Sequence, residues 1–228
     1  MANTNFSNQA MRTKSNGLII CGTDTDVGKT IASAMLVSCL GATYWKPIQS
    51  GLSGGGDTGR VRKILNLANN RYLPESYKFK AAVSPHWAAE QENIEIETSN
   101  LKIPQVNNFL IIETAGGLLV PITRKLIQID LIKEWELPVL LIARSGLGTI
   151  NHTLLSIEAL RKRKIRLIGV MLNGPPHKDN PKTIQEIGLT KVLGTIPPLK
   201  KIDSESLSKE WHRQGLDISL KKLLLTKD

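Results

Sequence analysis

A glycine-rich turn near the amino terminus constrains the fold of this chain more than any other feature. The turn, Cys21–Thr30 (CGTDTDVGKT), follows an apolar run at Leu18–Cys21 and opens a helical pattern at Gly28–Leu40. Backbone N–H groups of such a turn and the positive end of the helix dipole can cradle a polyphosphate, and Lys29 can reach its terminal oxygens. The Thr30 hydroxyl is available to Mg²⁺. The sequence therefore predicts a strand–turn–helix unit that binds a nucleoside triphosphate with magnesium.

The spacing of this loop departs from the usual pattern. Gly22 and Gly28 are separated by five residues, where four are usual, but the Gly-Lys-Thr end and its strand–turn–helix setting are kept. The predicted nucleotide contacts within the loop are Asp26, Val27, Gly28, Lys29, Thr30 and Ile31.

Short apolar, β-rich runs alternate with helical patterns along the rest of the chain. Such alternation is typical of a mostly parallel sheet with helices on both faces. We expect residues 1–16 to be a disordered lead-in and residues 17–228 to form a single α/β domain. The predicted strands are Leu18–Cys21, Ala42–Trp45, Phe109–Glu113, Val139–Ala143, Leu167–Leu172 and Val192–Ile196.

The composition limits the class of protein and its expected location in the cell. Its 228 residues are 41% hydrophobic and 22% charged, which is ordinary for a globular protein. The longest strongly apolar stretch, Leu137–Ala143, falls well short of the roughly 20 residues of a membrane span. Because the first sixteen residues lack the apolar block of a signal peptide, we expect a cytoplasmic protein without a membrane partner. Cys21 and Cys39 lie in apolar contexts, so we expect two reduced, buried thiols.

The chain is basic, with a net charge of +10, which raises the question of nucleic acid. The clearest cluster is Arg161–Lys164 with Arg166, between a helical pattern and the strand Leu167–Leu172. Cations at the end of a helix also suit its dipole. Since aromatic residues for base stacking are few, we expect no nucleic-acid partner.

Two charged residues, Glu113 and Lys46, stand at predicted strand ends, where ligands of parallel sheets bind, and a third, Asp57, follows a run of glycines. Glu113 ends a buried run and is followed by glycines, so it can hold the metal, although a solvated glutamate fits the pattern too. Lys46 is held by a following proline and can be aimed across the cleft, although it also fits an exposed lysine. Asp57, after three glycines, is either a metal ligand or a helix N-cap.

Taken together and in order, several short motifs resemble dethiobiotin synthetase, an enzyme family with a phosphate-binding loop. The resemblance extends from about residue 18 to about residue 200. Its motifs are Gly22–Thr30, Lys46-Pro47 with Ser50-Gly51, Ser84-Pro85-His86, Glu113 with Ala115-Gly116-Gly117, Gly146–His152 (GLGTINH) and Ile196-Pro197.

The resemblance implies a homodimeric ligase with a P-loop NTPase fold that makes dethiobiotin from 7,8-diaminopelargonate, CO₂ and ATP. One amine captures CO₂ as a carbamate, ATP phosphorylates the carbamate, and the second amine attacks the mixed anhydride to close the ureido ring. Intramolecular attack supplies a high effective concentration. The protein's part is charge stabilisation and positioning.

The same resemblance assigns residue roles. Lys29 and Lys46 face the transferring phosphoryl group and the carbamate, and Ser50 seats the diamine. Gly148 and Asn151 hold the distal carboxylate of the substrate across the dimer, although a plain helix cap explains Asn151 equally well. The metal ligands are Thr30, Asp57 and Glu113. The further nucleotide contacts are Asp57, Glu113, Thr114, Ala115, Gly116, Asn173, Gly174, Pro197, Pro198 and Leu199.

The chain departs from the family pattern at two site positions. Thr114 stands where glycine is usual, and Asp26 replaces the more common glutamate. We expect Thr114 either to crowd a nucleotide oxygen or to add a hydroxyl contact, so nucleotide preference is open. The part from about Asp203 onward carries no motif of the family.

Three alternatives stay open at the level of sequence. Partitioning or metal-cluster-loading ATPases have a similar topology, but they carry a lysine early in the loop, and here the first loop lysine is Lys29. A corrinoid-synthesis ligase normally has an added glutamine-hydrolysing domain, for which 228 residues leave no room. The third alternative is a basic nucleotide-sensing module that binds RNA or DNA.

Overall fold

The structure is a computed structural model that describes residues 16–225. Nearly all of the expected lead-in at residues 1–16 lies outside this part of the chain. The strands are β1 Gly17–Gly22, β2 Thr43–Trp45, β3 Ile48–Ser50, β4 Tyr77–Phe79, β5 Leu110–Gly117, β6 Val139–Arg144, β7 Leu167–Asn173 and β8 Val192–Ile196. The helices are α1 Lys29–Cys39, α2 Gly56–Leu65, α3 Pro85–Gln91, α4 Gln128–Trp135, α5 Thr149–Lys162, α6 Asn180–Gly188, α7 Ser204–Arg213 and α8 Leu216–Leu225.

All six predicted strands are present and form one sheet in the order β2-β5-β1-β6-β7-β8. Every pairing in it is parallel. Strand β5 runs past its predicted end to Gly117, so Glu113 lies inside the strand. The pair β3 and β4 forms a separate two-stranded sheet that the sequence did not predict, since three residues are too few to show a period.

Apolar side chains on the two faces of the sheet belong to two separate cores. On β1, Leu18 and Ile20 face one core, and Ile19 and Cys21 face the other, as expected for alternating side chains. Residues of α1, α2, α7 and α8 complete the first core, and residues of α3, α4, α5 and α6 complete the second. The prediction of a mostly parallel sheet with helices on both faces is confirmed.

Several other features of the chain were predicted in part. Cys21 is buried, but Cys39 is only half-buried, so the prediction of two buried thiols was wrong for Cys39; both cysteines are free thiols. At the basic cluster, Arg163 pairs with Asp130 at 2.9 Å and Arg161 donates to the Gly188 carbonyl, in agreement with a helix end. None of the helices within residues 16–225 has the length and apolarity needed to cross a bilayer.

Candidate active site

A cleft of about 590 Å³ opens at the carboxyl ends of the central strands. It lies where ligands of open parallel sheets bind. Most of the site residues predicted from the sequence line it together, although they come from separate segments of the chain. They are Asp26, Gly28, Lys29, Thr30, Ile31, Lys46, Ser50, Asp57, Glu113, Ala115, Gly116 and Asn173.

The loop between β1 and α1 has a backbone that requires glycine at one position. Gly28 has a φ of 97°, and a Cβ there would lie 2.3 Å from Nδ2 of Asn173 on β7. Asp26 also has a positive φ, 56°, which aspartate tolerates better than most residues. The predicted contact Val27 is buried beneath the loop and does not line the cleft.

Lys29 lies at the start of α1 and is almost fully buried. Its ammonium donates to the carbonyl of Asp24 in the loop at 2.7 Å. Burial, followed by the nearby charge of Lys46, lowers the pKa of Lys29 to about 8. A cation in this surrounding gains from an anionic partner such as a terminal phosphate.

Glu113 is the centre of the polar network at the floor of the cleft. The residue is fully buried, and its two carboxylate oxygens have different partners. Oε1 accepts from Oγ1 of Thr30 at 2.9 Å and from Nζ of Lys46 at 3.1 Å. Oε2 accepts from the hydroxyl of Tyr44 at 3.0 Å. The interpretation of Glu113 as a solvated strand-end residue is therefore wrong.

Asp57 joins the same network from the first turn of α2. Its Oδ1 accepts from Thr30 Oγ1 at 3.0 Å, and its Oδ2 lies 2.6 Å from Nζ of Lys46. Its backbone N–H donates to Oε1 of Gln49 at 2.9 Å. The Asp57 side chain makes no cap hydrogen bond to the helix. The N-cap alternative is thus wrong.

Lys46 is buried between two carboxylates and is not an exposed lysine. It also donates to the carbonyl of Thr114 at 3.2 Å. Burial alone would lower the pKa of Lys46, but the charges of Glu113 and Asp57 outweigh it and raise the pKa. Burial would raise the pKa of Asp57, but Lys46 outweighs it and holds the pKa below its usual value. The lysine and Asp57 are therefore both charged at neutral pH.

The oxygen donors of the network suit a hard cation. The Thr30 hydroxyl lies within 3.0 Å of a carboxylate oxygen of Asp57 and of Glu113. Residues 16–225 contain no group of three or more His, Cys, Asp or Glu side chains that could hold a metal ion. A phosphate-loop magnesium needs few protein oxygens, because phosphate oxygens and water complete its coordination. The donor set therefore fits Mg²⁺ brought by a nucleotide.

The segment after Glu113 forms one wall of the cleft and is held by a buried glutamine. Gln128, on α4, accepts from the N–H of Ala115 at 2.9 Å and donates to the carbonyl of Gly117 at 2.8 Å. Thr114 is buried, and its hydroxyl donates to the Ile20 carbonyl of β1 at 3.2 Å. Since that hydroxyl is engaged within the sheet and does not line the cleft, neither predicted effect of Thr114 on the nucleotide is supported.

The residues predicted to bind the diamine, the adenine and the substrate carboxylate fall into two groups, one lining the cleft and one outside it. Ser50 lines the cleft, and its buried hydroxyl has no hydrogen-bond partner in the described part of the chain. Asn173 also lines the cleft at the end of β7. The others lie outside the cleft lining: Gly174, Pro197, Pro198 and Leu199 at the β7 and β8 ends, and the exposed Gly148 and Asn151 at the start of α5.

Four polar residues at the cleft were not predicted from the sequence. Gln49 and Arg60 line the cleft, and Tyr44 and Gln128 bond to residues of its wall. Gln49 and Arg60 are close in sequence to Lys46 and Asp57, which was an available signal. Tyr44 and Gln128 gave no signal, because an aromatic residue on a strand and a polar residue at a helix start are both ordinary.

Comparisons with known proteins agree with this geometry. The model of a family described as an AAA domain matches residues 16–206. An ATP-dependent dethiobiotin synthetase of Rhodopseudomonas palustris (strain TIE-1) is 46% identical over 190 residues, covering 83% of this chain and 90% of the relative. One from Brucella anthropi is 44% identical over 202 residues, covering 89% and 95%.

Solved structures share the fold at low sequence identity. A putative plasmid partition protein from Borrelia burgdorferi bound to AMPPNP has a TM-score of 0.55 at 15% identity, covering 92% of this chain and 100% of that one. The septum site-determining protein MinD of Pyrococcus horikoshii, complexed with Mg-ADP, has a TM-score of 0.52 at 13% identity, covering 92% and 94%. These likenesses concern the fold alone, and they confirm the predicted P-loop α/β class.

Proposed function

This chain belongs to the family of ATP-dependent dethiobiotin synthetases, ligases of biotin biosynthesis that form C–N bonds, and from that premise we propose its substrates and mechanism. The proposed substrates are 7,8-diaminopelargonate, CO₂ and ATP, and the proposed product is dethiobiotin. The observation that carries the proposal is the buried network in which Lys46, Thr30, Asp57 and Glu113 converge beside the phosphate loop.

The proposed reaction has three steps. One substrate amine adds to CO₂ and loses a proton, which gives a carbamate. A carbamate oxygen attacks the γ-phosphorus of ATP, and ADP leaves. The second amine then attacks the carbonyl carbon of the carbamic-phosphoric anhydride, and phosphate and a proton leave as the ring closes. Because a carbamate oxygen is a poor leaving group until it is phosphorylated, ATP must act before ring closure.

In this mechanism the two buried lysines stabilise charge at different places. Lys29, at the start of α1, contacts the terminal phosphate oxygens of ATP. Lys46, across the cleft, contacts the carbamate and the phosphoryl group that moves onto it. Both are desolvated, which strengthens their interaction with charge that develops in the transition state.

Thr30, Asp57 and Glu113 are the proposed ligands of Mg²⁺. When bound, the ion would neutralise charge on the terminal phosphates of ATP. These residues hold their oxygens together before the nucleotide arrives, since Thr30 Oγ1 already lies within 3.0 Å of an oxygen of each carboxylate. Lys46 keeps the two carboxylates from repelling each other in the meantime.

Ser50, Asn173 and the start of α5 are proposed to bind the remaining parts of the ligands. The unpartnered hydroxyl of Ser50 can bond to the diamine. Asn173, with Gly174 and Pro197–Leu199, is proposed to receive the adenine. Gly148 and Asn151 are exposed outside this cleft, so their contact with the substrate carboxylate is proposed to come from a second subunit. Leu119 and Leu155 are 58% and 57% exposed and line one surface depression beside α5, an apolar surface that a homodimer would cover.

The cytoplasm remains the proposed location. The nearest rival function is that of the partition ATPases. Its support is a likeness of fold at 15% identity or less, and the loop residues before Lys29 include no lysine. A basic nucleotide-sensing module that binds RNA or DNA has no observation in its favour beyond the net charge.

The test is ADP release and dethiobiotin formation by the purified protein, with and without 7,8-diaminopelargonate and bicarbonate. We expect ADP release to require both, with one dethiobiotin formed per ADP. Lys29→Ala should abolish both signals, whereas Lys133→Gln, an exposed lysine far from the cleft, should leave them intact. ATP hydrolysis at the same rate with and without 7,8-diaminopelargonate would contradict the proposal.

A further inference from the structure

Tyr44 is a buried residue that contacts Glu113, a proposed metal ligand, from the side of the apolar core. It lies on β2, two positions before Lys46, and β2 pairs with β5, which carries Glu113. Tyr44 and Lys46 both reach the Glu113 carboxylate, with donor–acceptor distances of 3.0 Å and 3.1 Å. One end of β2 therefore supplies two donors to a single carboxylate.

The two oxygens of that carboxylate are divided between the cleft and the core. Oε1 accepts from Thr30 and Lys46, which both line the cleft. Oε2 accepts from Tyr44, which does not line it and is 0% exposed. The ring of Tyr44 packs in the apolar core formed with α1, α2, α7 and α8. The position of its hydroxyl is thus set by core packing, independently of any ligand.

We propose that Tyr44 is a positioning residue that fixes the rotation of the Glu113 carboxylate, so that Oε1 faces Thr30 and Mg²⁺. The proposal rests on the metal role of Glu113 stated under the proposed function. A glutamate ends in a torsion with broad rotational freedom. A donor on Oε2 removes that freedom, and outer hydrogen bonds of this kind orient metal ligands in proteins.

Tyr44→Phe tests this role because it removes one hydroxyl and keeps the ring that fills the core. The measurement is the affinity for ADP, first in EDTA and then with saturating Mg²⁺. Loop contacts to the phosphates operate in both conditions, whereas Glu113 contributes to the gain that Mg²⁺ brings. We expect unchanged affinity in EDTA and a loss of about tenfold in the Mg²⁺-dependent gain.

Two further variants frame the result. Tyr72→Phe is the matched control, since the Tyr72 hydroxyl bonds to the exposed Asn69 side chain, and we expect it to keep the whole gain. Glu113→Gln tests the metal site itself and should lose the gain at least as strongly as Tyr44→Phe. If Glu113→Gln loses the gain and Tyr44→Phe keeps it, Tyr44 only packs and our proposal is wrong. If Glu113→Gln also keeps the gain, the metal role of Glu113 is wrong, and the role of Tyr44 is wrong with it.

A second measurement applies if Tyr44→Phe fails to fold. 3-Fluorotyrosine at position 44 keeps both the ring and the hydroxyl, and its ¹⁹F resonance reports on the bond to Glu113. We expect this resonance to shift when Mg²⁺ is added to the ADP-bound protein, and to stay in place when the same addition is made to Glu113→Gln. If the chemical shift of this resonance does not change when Mg²⁺ is added to the otherwise native protein, the proposal is wrong.

Discussion

Replacing Lys46 by glutamine separates the chemistry of this site from its binding of nucleotide. The ammonium of Lys46 lies 2.6 Å from Asp57 Oδ2 and 3.1 Å from Glu113 Oε1. Glutamine is one atom shorter than lysine and keeps a donor, but it lacks the charge. The variant therefore removes a cation from the place where, by our proposal, the carbamate and the moving phosphoryl group acquire charge.

The structure leads to two expected magnitudes. Losing one charged contact made in the transition state costs roughly 3 kcal/mol, or about a hundredfold in kcat. The variant also leaves Asp57 and Glu113 facing each other without the cation. Breaking a buried ion pair by removing one partner costs about 3–5 kcal/mol of unfolding free energy. Mg²⁺ can neutralise the same two carboxylates, so we expect it to stabilise Lys46→Gln more than the native protein.

The assay is single-turnover formation of dethiobiotin, measured beside equilibrium binding of MgATP and thermal unfolding with and without Mg²⁺. We expect Lys46→Gln to bind MgATP at least as tightly as the native protein does, because Mg²⁺ replaces the lost cation, and to turn over about a hundredfold more slowly. Lys133→Gln, at an exposed position, should match the native protein in all three measurements.

Two outcomes would refute this reasoning. Product formed by folded Lys46→Gln at the native rate would mean that the lysine does not act in the reaction. A lost affinity for MgATP with an unchanged kcat would assign Lys46 to ground-state binding and would remove it from the transition state.

Three further predictions follow from the site and its surroundings. Gly28→Ala should destabilise the protein and weaken ATP binding, because the new Cβ would lie 2.3 Å from Asn173 Nδ2. Gly41 also has a positive φ, 63°, but has open space around it, so Gly41→Ala should cost only the backbone strain of about 1–2 kcal/mol. The protein should take up a proton when it binds ATP above pH 8, since Lys29 has a pKa of about 8 without the nucleotide and phosphates favour its charged form. Titration calorimetry in buffers of different ionisation enthalpy measures this uptake, and Lys29→Arg should abolish it. Burial raises the pKa of Cys21 to about 12, so its thiol should resist alkylation in the native protein and react once urea unfolds the chain; rapid native labelling would contradict its burial.

Much of the site could be predicted from the sequence because its signals are local. The loop at Gly22–Thr30 contains both the glycines and the lysine that its chemistry needs, within nine residues. Glu113 was found because it ends an apolar run, and Lys46 because a proline follows it. These patterns reflect backbone preferences and side-chain periodicity, which neighbouring residues determine.

Tyr44 and Gln128 could not be predicted because their contacts depend on tertiary packing. The Tyr44 hydroxyl bonds to a residue 69 positions away, and Gln128 bonds to a segment whose path depends on the packing of α4 against β5. The side chains of Val27 and Thr114 face the interior for a related reason, since a residue's neighbours in a motif do not determine which way its side chain faces. Contacts of these residues with the nucleotide, which backbone groups can also make, stay predictions.

By itself, the sequence determined the strand–turn–helix at the phosphate loop, the six core strands and the identity of the charged residues. Only the tertiary structure decided that β5 lies between β2 and β1, and this order brings Glu113 between Lys46 and Thr30. The physical reason is that strand order depends on how helices cover both faces of the sheet, which is a property of the whole packed chain. The sequence determines which site residues can carry a charge. Their burial, and with it the pKa of Lys29 and of Lys46, depends on the fold.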